Sequence, residues 1–306
     1  MIDRTVAFNS HGFRLKGTLS VPDAPGPHPG AVLVTGSGPL DRNSNMKRQT
    51  LTVTSDLAAH LAEAGIASLR YDKRGVGDSE GDYQSTGFHD NVDDAGAAVV
   101  ALRAEAELTS AHVIGHSEGA LIATRLAATG AAIDGAVLLA GSARSGKDIL
   151  RHQAIIANDS LPTPIRVVFK LLRTNVYKLQ AKRLAQLEAT TTDSTRIQFV
   201  KINAKWFREF MAYNPADDLP QIQIPMMAVT GEKDLQVPPE DLAVIADLAG
   251  GPVETHEPAD LTHILRLDPE KPTLKAYKSQ LQSPTDPKLM HLVSDWINRN
   301  DSKRTV

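Results

Sequence analysis

The sequence predicts an α/β fold: a mostly parallel, doubly wound sheet with a helical segment inserted into it. Three observations predict it. Short, continuous apolar runs recur along the chain, and each is closed by glycine or a polar turn. Helical patterns separate these runs. One long stretch near the middle is helix-prone and contains no such run. A continuous apolar run marks a strand buried on both faces, as a parallel sheet requires. Alternation of strands and helices places helices on both faces of that sheet.

The elements follow in order. Residues 5–22 read as two short strands around a turn at His11-Gly12, because Phe13, Leu15, Gly17, Leu19 and Val21 alternate with polar residues. Pro22 to Pro29 is a Pro/Gly-rich loop. Ala31-Val32-Leu33-Val34 is the first buried run and ends in Thr35-Gly36-Ser37-Gly38. Ser55 to Ala64 carries Leu57, Ala58, Leu61 and Ala62 at helical spacing, with Gly65 placed to end the helix. Ile66 to Tyr71 is a second run, closed by Asp72-Lys73-Arg74-Gly75. Val92 to Leu108 is an Ala/Val-rich helical pattern. Val113-Ile114 leads into Gly115-His116-Ser117, and Glu118 to Ala128 is helical. Ala136 to Leu139 ends at Gly141-Ser142, and Met226 to Val229 ends at Thr230-Gly231. The expected organisation is a core of residues 1–142 and 214–306, with a helical cap inserted at 143–213.

Composition excludes several functions. With 42% hydrophobic and 23% charged residues the chain can bury a core, so it is not intrinsically disordered. A net charge of -3 offers no global basic field for nucleic acid. Zero cysteines remove disulfides, thiolate metal sites and cysteine nucleophiles. The first residues lack an apolar signal segment, and no stretch is apolar enough to span a membrane. The expected location is the cytoplasm, with no membrane and no nucleic-acid partner. The oligomeric state is left open.

Gly115-His116-Ser117-Glu118-Gly119 is G-x-S-x-G between a buried-strand pattern and a helical one. A sharp strand-to-helix turn holds such a serine in a strained conformation, and small residues on both sides make room for it. The hydroxyl then stands at a helix N-terminus, where free N–H groups favour negative charge. Serine near neutral pH needs a base, and the base an orienting acid. Asp234 stands just past the Met226–Val229 run, where α/β sheets place functional groups. His263 follows with room for one helix and one strand between. Glu232 and Asp260 are alternatives for the acid. His256 and His291 are alternatives for the base, the first in a strand pattern and the second in the final helix.

On Thr35 to Arg42, Arg70 to Ser79, Gly115 to Gly119, Gly231 to Pro238 and the stretch around His263, the chain resembles the α/β-hydrolase-fold serine hydrolases. It is similar to their esterase and dienelactone-hydrolase-like branch. Thr35-Gly36 stands where that family usually has His-Gly. The resemblance implies an α/β-hydrolase fold and cleavage of carboxylic esters, with Ser117 as nucleophile, His263 as base and Asp234 as acid. It also implies oxyanion N–H donors at Ser37 and Glu118, with Gly38 as the alternative to Ser37. No cofactor or metal is expected, and the partner is a small-molecule ester or thioester. Thioesterase, peptidase or acyltransferase chemistry on the same residues, and a non-catalytic binding protein, are the competing readings.

Other residues have plainer readings. His116 packs or hydrogen-bonds beneath the turn. Asp41-Arg42 reads as a local ion pair or part of the pocket rim. Asp72 to Gly75 reads as a structural turn, since it lacks the spacing of a phosphate loop. Ile155, Ile156, Phe169, Leu172, Trp206, Phe207 and Phe210 read as packing between cap and core. The cap carries thirteen lysines and arginines against five acids, about +8, which leaves about -11 on the rest of the chain. A solvated helical surface is the plain reading of that asymmetry. Attraction of an anionic substrate is the functional one.

Overall fold

In the computed structural model, β1 (Ile2–Ser10) and β2 (Phe13–Val21) form a hairpin that turns at His11 and Gly12, both left-handed. The structure describes residues 1–172 and 174–302. Arg173, one of the cap cations counted above, and residues 303–306 of the expected core lie outside the described residues.

β3 (His28–Val34), α1 (Val53–Glu63), β4 (Ala67–Tyr71), α2 (Phe88–Glu105), β5 (Leu108–His116), α3 (Glu118–Ala128) and β6 (Gly135–Leu139) follow. After the inserted segment come β7 (Met226–Val229), α8 (Asp241–Leu248), β8 (Val253–His256) and α9 (Pro287–Ser302). One sheet takes the order β1-β2-β4-β3-β5-β6-β7-β8, antiparallel for β1, β2 and β4 and parallel from β4 to β8. The expected mostly parallel α/β sheet is therefore the one observed.

The pleat sorts its side chains between two cores. Ala31 and Leu33 of β3 face α1 and α9, packed with Leu57, Leu61, Val293 and Trp296. Val32 and Val34 face the other side, with Phe88, Ala95, Ala98 and Leu121 of α2 and α3. Full burial of each such leucine or phenylalanine contributes roughly 1.5–3 kcal/mol. No helix is long and apolar enough to cross a membrane among the described residues.

Two boundaries differ from expectation. The helix expected at 92–108 runs from Phe88 to Glu105. Gly87 N–H donates to Asp90 at its start. Leu108 belongs to β5, paired with His28. The inserted segment, α4 (Gly146–Asp159), α5 (Thr163–Leu171), α6 (Val176–Glu188) and α7 (Ala204–Ala212), also contains a hairpin of Ser194–Ile197 with Val200–Asn203. Its turn residues Gln198 and Phe199 both have positive φ. Glycine or asparagine usually marks that turn, and neither is present.

The segment sits on the core by packing and by charge. Phe210 and Tyr213 lie 6.1 and 4.7 Å from the Phe88 ring. Lys201 pairs with Asp82 at 3.2 Å, Lys205 with Asp90 at 2.7 Å and Arg144 with Asp241 at 2.7 Å. The Asn203 side-chain amide donates to the carbonyls of Tyr83 and Thr86. Of the apolar residues expected to pack between cap and core, Phe210 is buried, whereas Ile155 and Leu172 are exposed on α4 and just past α5. α5 buries none of its residues.

Candidate active site

β5 ends at His116, and the chain turns through Ser117 directly into α3. Ser117 has φ 56° and ψ -116°, a conformation costly for any residue with a Cβ. The flanking glycines make it possible. A Cβ on Gly115 would lie 2.0 Å from the Gly119 carbonyl oxygen, and one on Gly119 would lie 2.2 Å from the Val34 carbonyl oxygen. Ser117 N–H is held by Leu139 of β6. The hydroxyl thus stands at the C-terminal edge of the sheet, over the first turn of α3. The earliest N–H groups of that turn have no partner within the helix.

Asp234 and His263 come to the same edge from loops after β7 and β8. His263 Nδ1 lies 2.8 and 3.0 Å from the two Asp234 carboxylate oxygens, and His263 Nε2 lies 3.0 Å from Ser117 Oγ. With Nδ1–H donating to Asp234, Nε2 is left to accept the Ser117 hydroxyl. Asp234 is itself held, accepting the N–H groups of Gln236 and Val237. The three residues are brought together as one hydrogen-bonded chain, and Asp234 and His263 are buried. The alternatives lie elsewhere. Asp260 pairs with Lys233 at 2.6 Å, His256 with Glu254, and His291 packs edge-on against His60.

His116 supports this chain from below. Its Nε2–H donates to the His263 carbonyl at 2.8 Å. Burial and the neighbouring His263 push its pKa down to about 4, so it is neutral at ordinary pH.

The loop after β3 supplies the opposite wall. Gly36 lies against Ser117, where an added Cβ would touch the Ser117 Cβ at 3.4 Å. The Gly36 carbonyl accepts the Lys73 ammonium at 2.6 Å. In a planar trans peptide the next N–H points the other way, so Lys73 holds the Ser37 N–H turned away from itself. The Gly38 N–H faces the Tyr83 hydroxyl, whose pKa is raised by burial and by Glu118.

Lys73 also meets the Glu118 carboxylate at 3.1 Å, and both side chains are almost wholly buried. The other Glu118 oxygen accepts Asn91 at 3.3 Å and the Trp206 indole N–H of α7 at 2.6 Å. Sequence reasoning missed this network. It read residues 72–75 as a turn only and valued Glu118 for its backbone. Lys73 within the Asp72–Gly75 turn and Glu118 beside Gly119 were the available signal, but nothing in the spacing pairs them. Arg42 is a correction of the same kind. It does not pair with Asp41. Its guanidinium bonds Asp72 and Asp78, while Asp41 accepts the N–H groups of Asn43 and Asn45. The Arg42 contacts hold the Asp72 carboxyl below its ordinary range, against the upward push of burial.

A cavity of about 50 Å³ opens at Ser117, lined by Ser37, Glu118, Leu121, Leu150, Trp206 and Phe210 among others. That is room for a few non-hydrogen atoms. A larger cavity, about 960 Å³, lies within the inserted segment, between α4, α6 and the hairpin. Gln153 lines both. Among the described residues no three His, Asp or Glu side chains are gathered as a metal centre needs.

Comparison with known proteins places the fold. The profile of the serine aminopeptidase S33 family matches residues 49–270. The esterase EstD of Thermotoga maritima is 28% identical over 238 residues, 77% of this chain and 54% of its own. The chain thus spans about half the length of the curated relative it matches. Among solved structures, Est1E of Butyrivibrio proteoclasticus superposes with a TM-score of 0.61 at 16% identity, covering 96% of each chain. The Pyrococcus furiosus esterase Pf2001 gives 0.63 at 17% identity, covering 97% of this chain and 91% of its own. A proline iminopeptidase of Mycobacterium smegmatis gives 0.65 at 14% identity, covering 98% of this chain and all of its own. These similarities establish the α/β-hydrolase fold. With a family match over well more than half of its residues, the chain belongs to the serine aminopeptidase S33 family of α/β hydrolases.

Proposed function

We propose that the protein is a serine hydrolase that cleaves carboxylic esters through an acyl-enzyme. The observation that carries this reading is the hydrogen-bonded run from Ser117 through His263 to Asp234, with Ser117 held in a left-handed conformation. In this mechanism His263 takes the Ser117 proton as the hydroxyl attacks the ester carbonyl. Asp234 keeps the imidazole in the Nδ1–H tautomer and stabilises the imidazolium that forms. The alcohol leaves with the proton from His263, and water attacks the acyl-enzyme by the same route.

The tetrahedral oxyanion is received by the N–H groups of Ser37 and Glu118, each worth roughly 3 kcal/mol to the transition state. The choice of Ser37 over Gly38 rests on one contact: Lys73 draws the Gly36 carbonyl to the far side of the Gly36–Ser37 peptide. Residues 143–213 act as the cap over this site, and Trp206 reports its position to Glu118. The cysteine-free composition is in keeping with a cytoplasmic location.

The family description and the iminopeptidase neighbour raise a second reading, cleavage of a peptide next to its free amine. Such an amine needs an acidic partner; the large cavity within the inserted segment has lysine and arginine in its lining and no acid, and Glu118 at the Ser117 pocket is already paired with Lys73. That chemistry favours esters. The test is intact mass after incubation with a fluorophosphonate, with peptide mapping of the adduct, beside turnover of p-nitrophenyl acetate. Stoichiometric labelling at Ser117 and loss of turnover in a folded Ser117→Ala variant are expected. A folded protein that neither labels nor turns over would overturn the reading in favour of a binding protein.

A further inference from the structure

Two sets of cations stand out in the inserted segment. Arg144, Lys147, Lys201 and Lys205 are neutralised by Asp241, Glu188, Asp82 and Asp90. Lys182, Arg183 and Arg196 are not: among the described residues none of them pairs with a carboxylate. All three line the large cavity, whose other lining residues are apolar or neutral and polar. The chain from 160 to 187, which includes the whole of α6 up to its last residue, contains no aspartate or glutamate. Three unpaired cations around one concave space raise the local concentration of anions there.

The cavity adjoins the pocket at the reacting serine along α4. On α4, Ile149 and Leu150 line the small pocket at Ser117, Gln153 lines both spaces, and Ala154 and Ala157 line the large one. At 1.5 Å of rise per residue, the step from Leu150 to Ala157 is roughly 10 Å along the helix. The two spaces differ greatly in capacity. About 50 Å³ beside the oxyanion residues takes a carbonyl and a short acyl group. About 960 Å³ takes a drug-sized or larger moiety.

We infer that the large cavity is a subsite for the alcohol arm of the substrate and that this arm carries an anionic group, a carboxylate or a phosphate, held by Lys182, Arg183 and Arg196. The substrate class is then a short-chain acyl ester of an acidic alcohol. The inference rests on the ester-hydrolase reading above and narrows it.

The experiment compares acetate esters of ω-hydroxycarboxylic acids with acetate esters of neutral alkanols of equal length, across a series of lengths and in low and high salt. The expected result is a kcat/KM ratio of anionic to neutral ester of about tenfold or more at low salt for arms long enough to pass Gln153, collapsing in high salt. The same ratio, read within Lys182→Glu, Arg183→Glu and Arg196→Glu variants, falls toward or below one. Binding of the anionic esters to Ser117→Ala, followed by calorimetry, reads the subsite without turnover and is expected to exceed binding of the neutral esters. A ratio near one at every length, or equal binding of both series to Ser117→Ala, overturns the inference while leaving ester hydrolysis standing. Preferential binding of the anionic series to Ser117→Ala without any turnover by the unaltered protein supports the subsite and overturns the hydrolase reading instead.

Discussion

The indole N–H of Trp206 donates to the carboxylate of Glu118 at 2.6 Å, and so joins α7 of the inserted segment to the residue that follows Ser117. Trp206→Phe keeps an aromatic ring stacked on Phe210, whose centroid lies 4.6 Å away, but removes the donor. A lost hydrogen bond to a buried charge costs about 1.5–3 kcal/mol. If the bond tightens the Glu118 peptide in the transition state, kcat falls by about tenfold with KM little changed. Steady-state kinetics beside a thermal melt checks this; an unaltered kcat would reduce Trp206 to packing.

Lys73 serves two partners, the Glu118 carboxylate and the Gly36 carbonyl, and a double-mutant cycle separates them. Lys73→Met leaves a buried carboxylate unpaired, and the expected loss of stability is about 3–5 kcal/mol. Glu118→Gln in the same chain removes that charge while keeping an acceptor for Trp206, so most of the stability returns. Turnover does not, because the Gly36 carbonyl still lacks its donor and the Ser37 N–H is no longer held. Urea unfolding and p-nitrophenyl acetate turnover, measured on the single and double variants, read the two effects apart.

Local chemistry made part of this legible in advance. Gly115 and Gly119 are dictated by the closeness of the backbone around Ser117, and a strand followed by G-x-S-x-G and a helix shows that need in consecutive residues. Asp234 and His263 could be placed because each follows a strand run in order. The Lys73 to Glu118 and Arg42 to Asp72 contacts were not legible. They join residues 45 and 30 positions apart, and no local pattern states which loops meet at the sheet edge. The hairpin within the inserted segment was hidden for a different reason, since Gln198 and Phe199 take a turn conformation that their residue types do not advertise.

Ser117 stores strain that function requires. A non-glycine residue at φ 56° and ψ -116° costs of order 1–3 kcal/mol, and glycine occupies that region without a Cβ penalty. Ser117→Gly is therefore expected to unfold at a higher denaturant concentration than the unaltered protein, by about 1 kcal/mol after glycine's greater unfolded-state freedom is counted. Its ester turnover is abolished. Equal or lower stability in the glycine variant would mean that the elbow is not strained at this residue.

His116 makes stability depend on pH in a window that can be isolated. Burial and the nearby His263 lower its pKa from the ordinary 6.5 to about 4. The unfolded chain takes up the proton near pH 6.5, whereas the folded protein refuses it until about pH 4. The contribution is therefore fully present above pH 6.5 and is lost as pH falls toward 4, by about 3 kcal/mol in all. His60 is shifted in the same direction, chiefly by burial, and adds to the same slope. Asp72, Asp90 and Glu254 are held below their ordinary carboxylate range, so their losses begin lower on the pH scale. His116→Gln keeps an N–H to offer the His263 carbonyl and has no proton to gain. Urea unfolding between pH 7 and about pH 4.5 should thus show a shallower fall for this variant than for the unaltered protein. The two curves should converge at the acid end from a lower starting stability in the variant. Parallel curves across that window would show that His116 is not the residue refusing the proton.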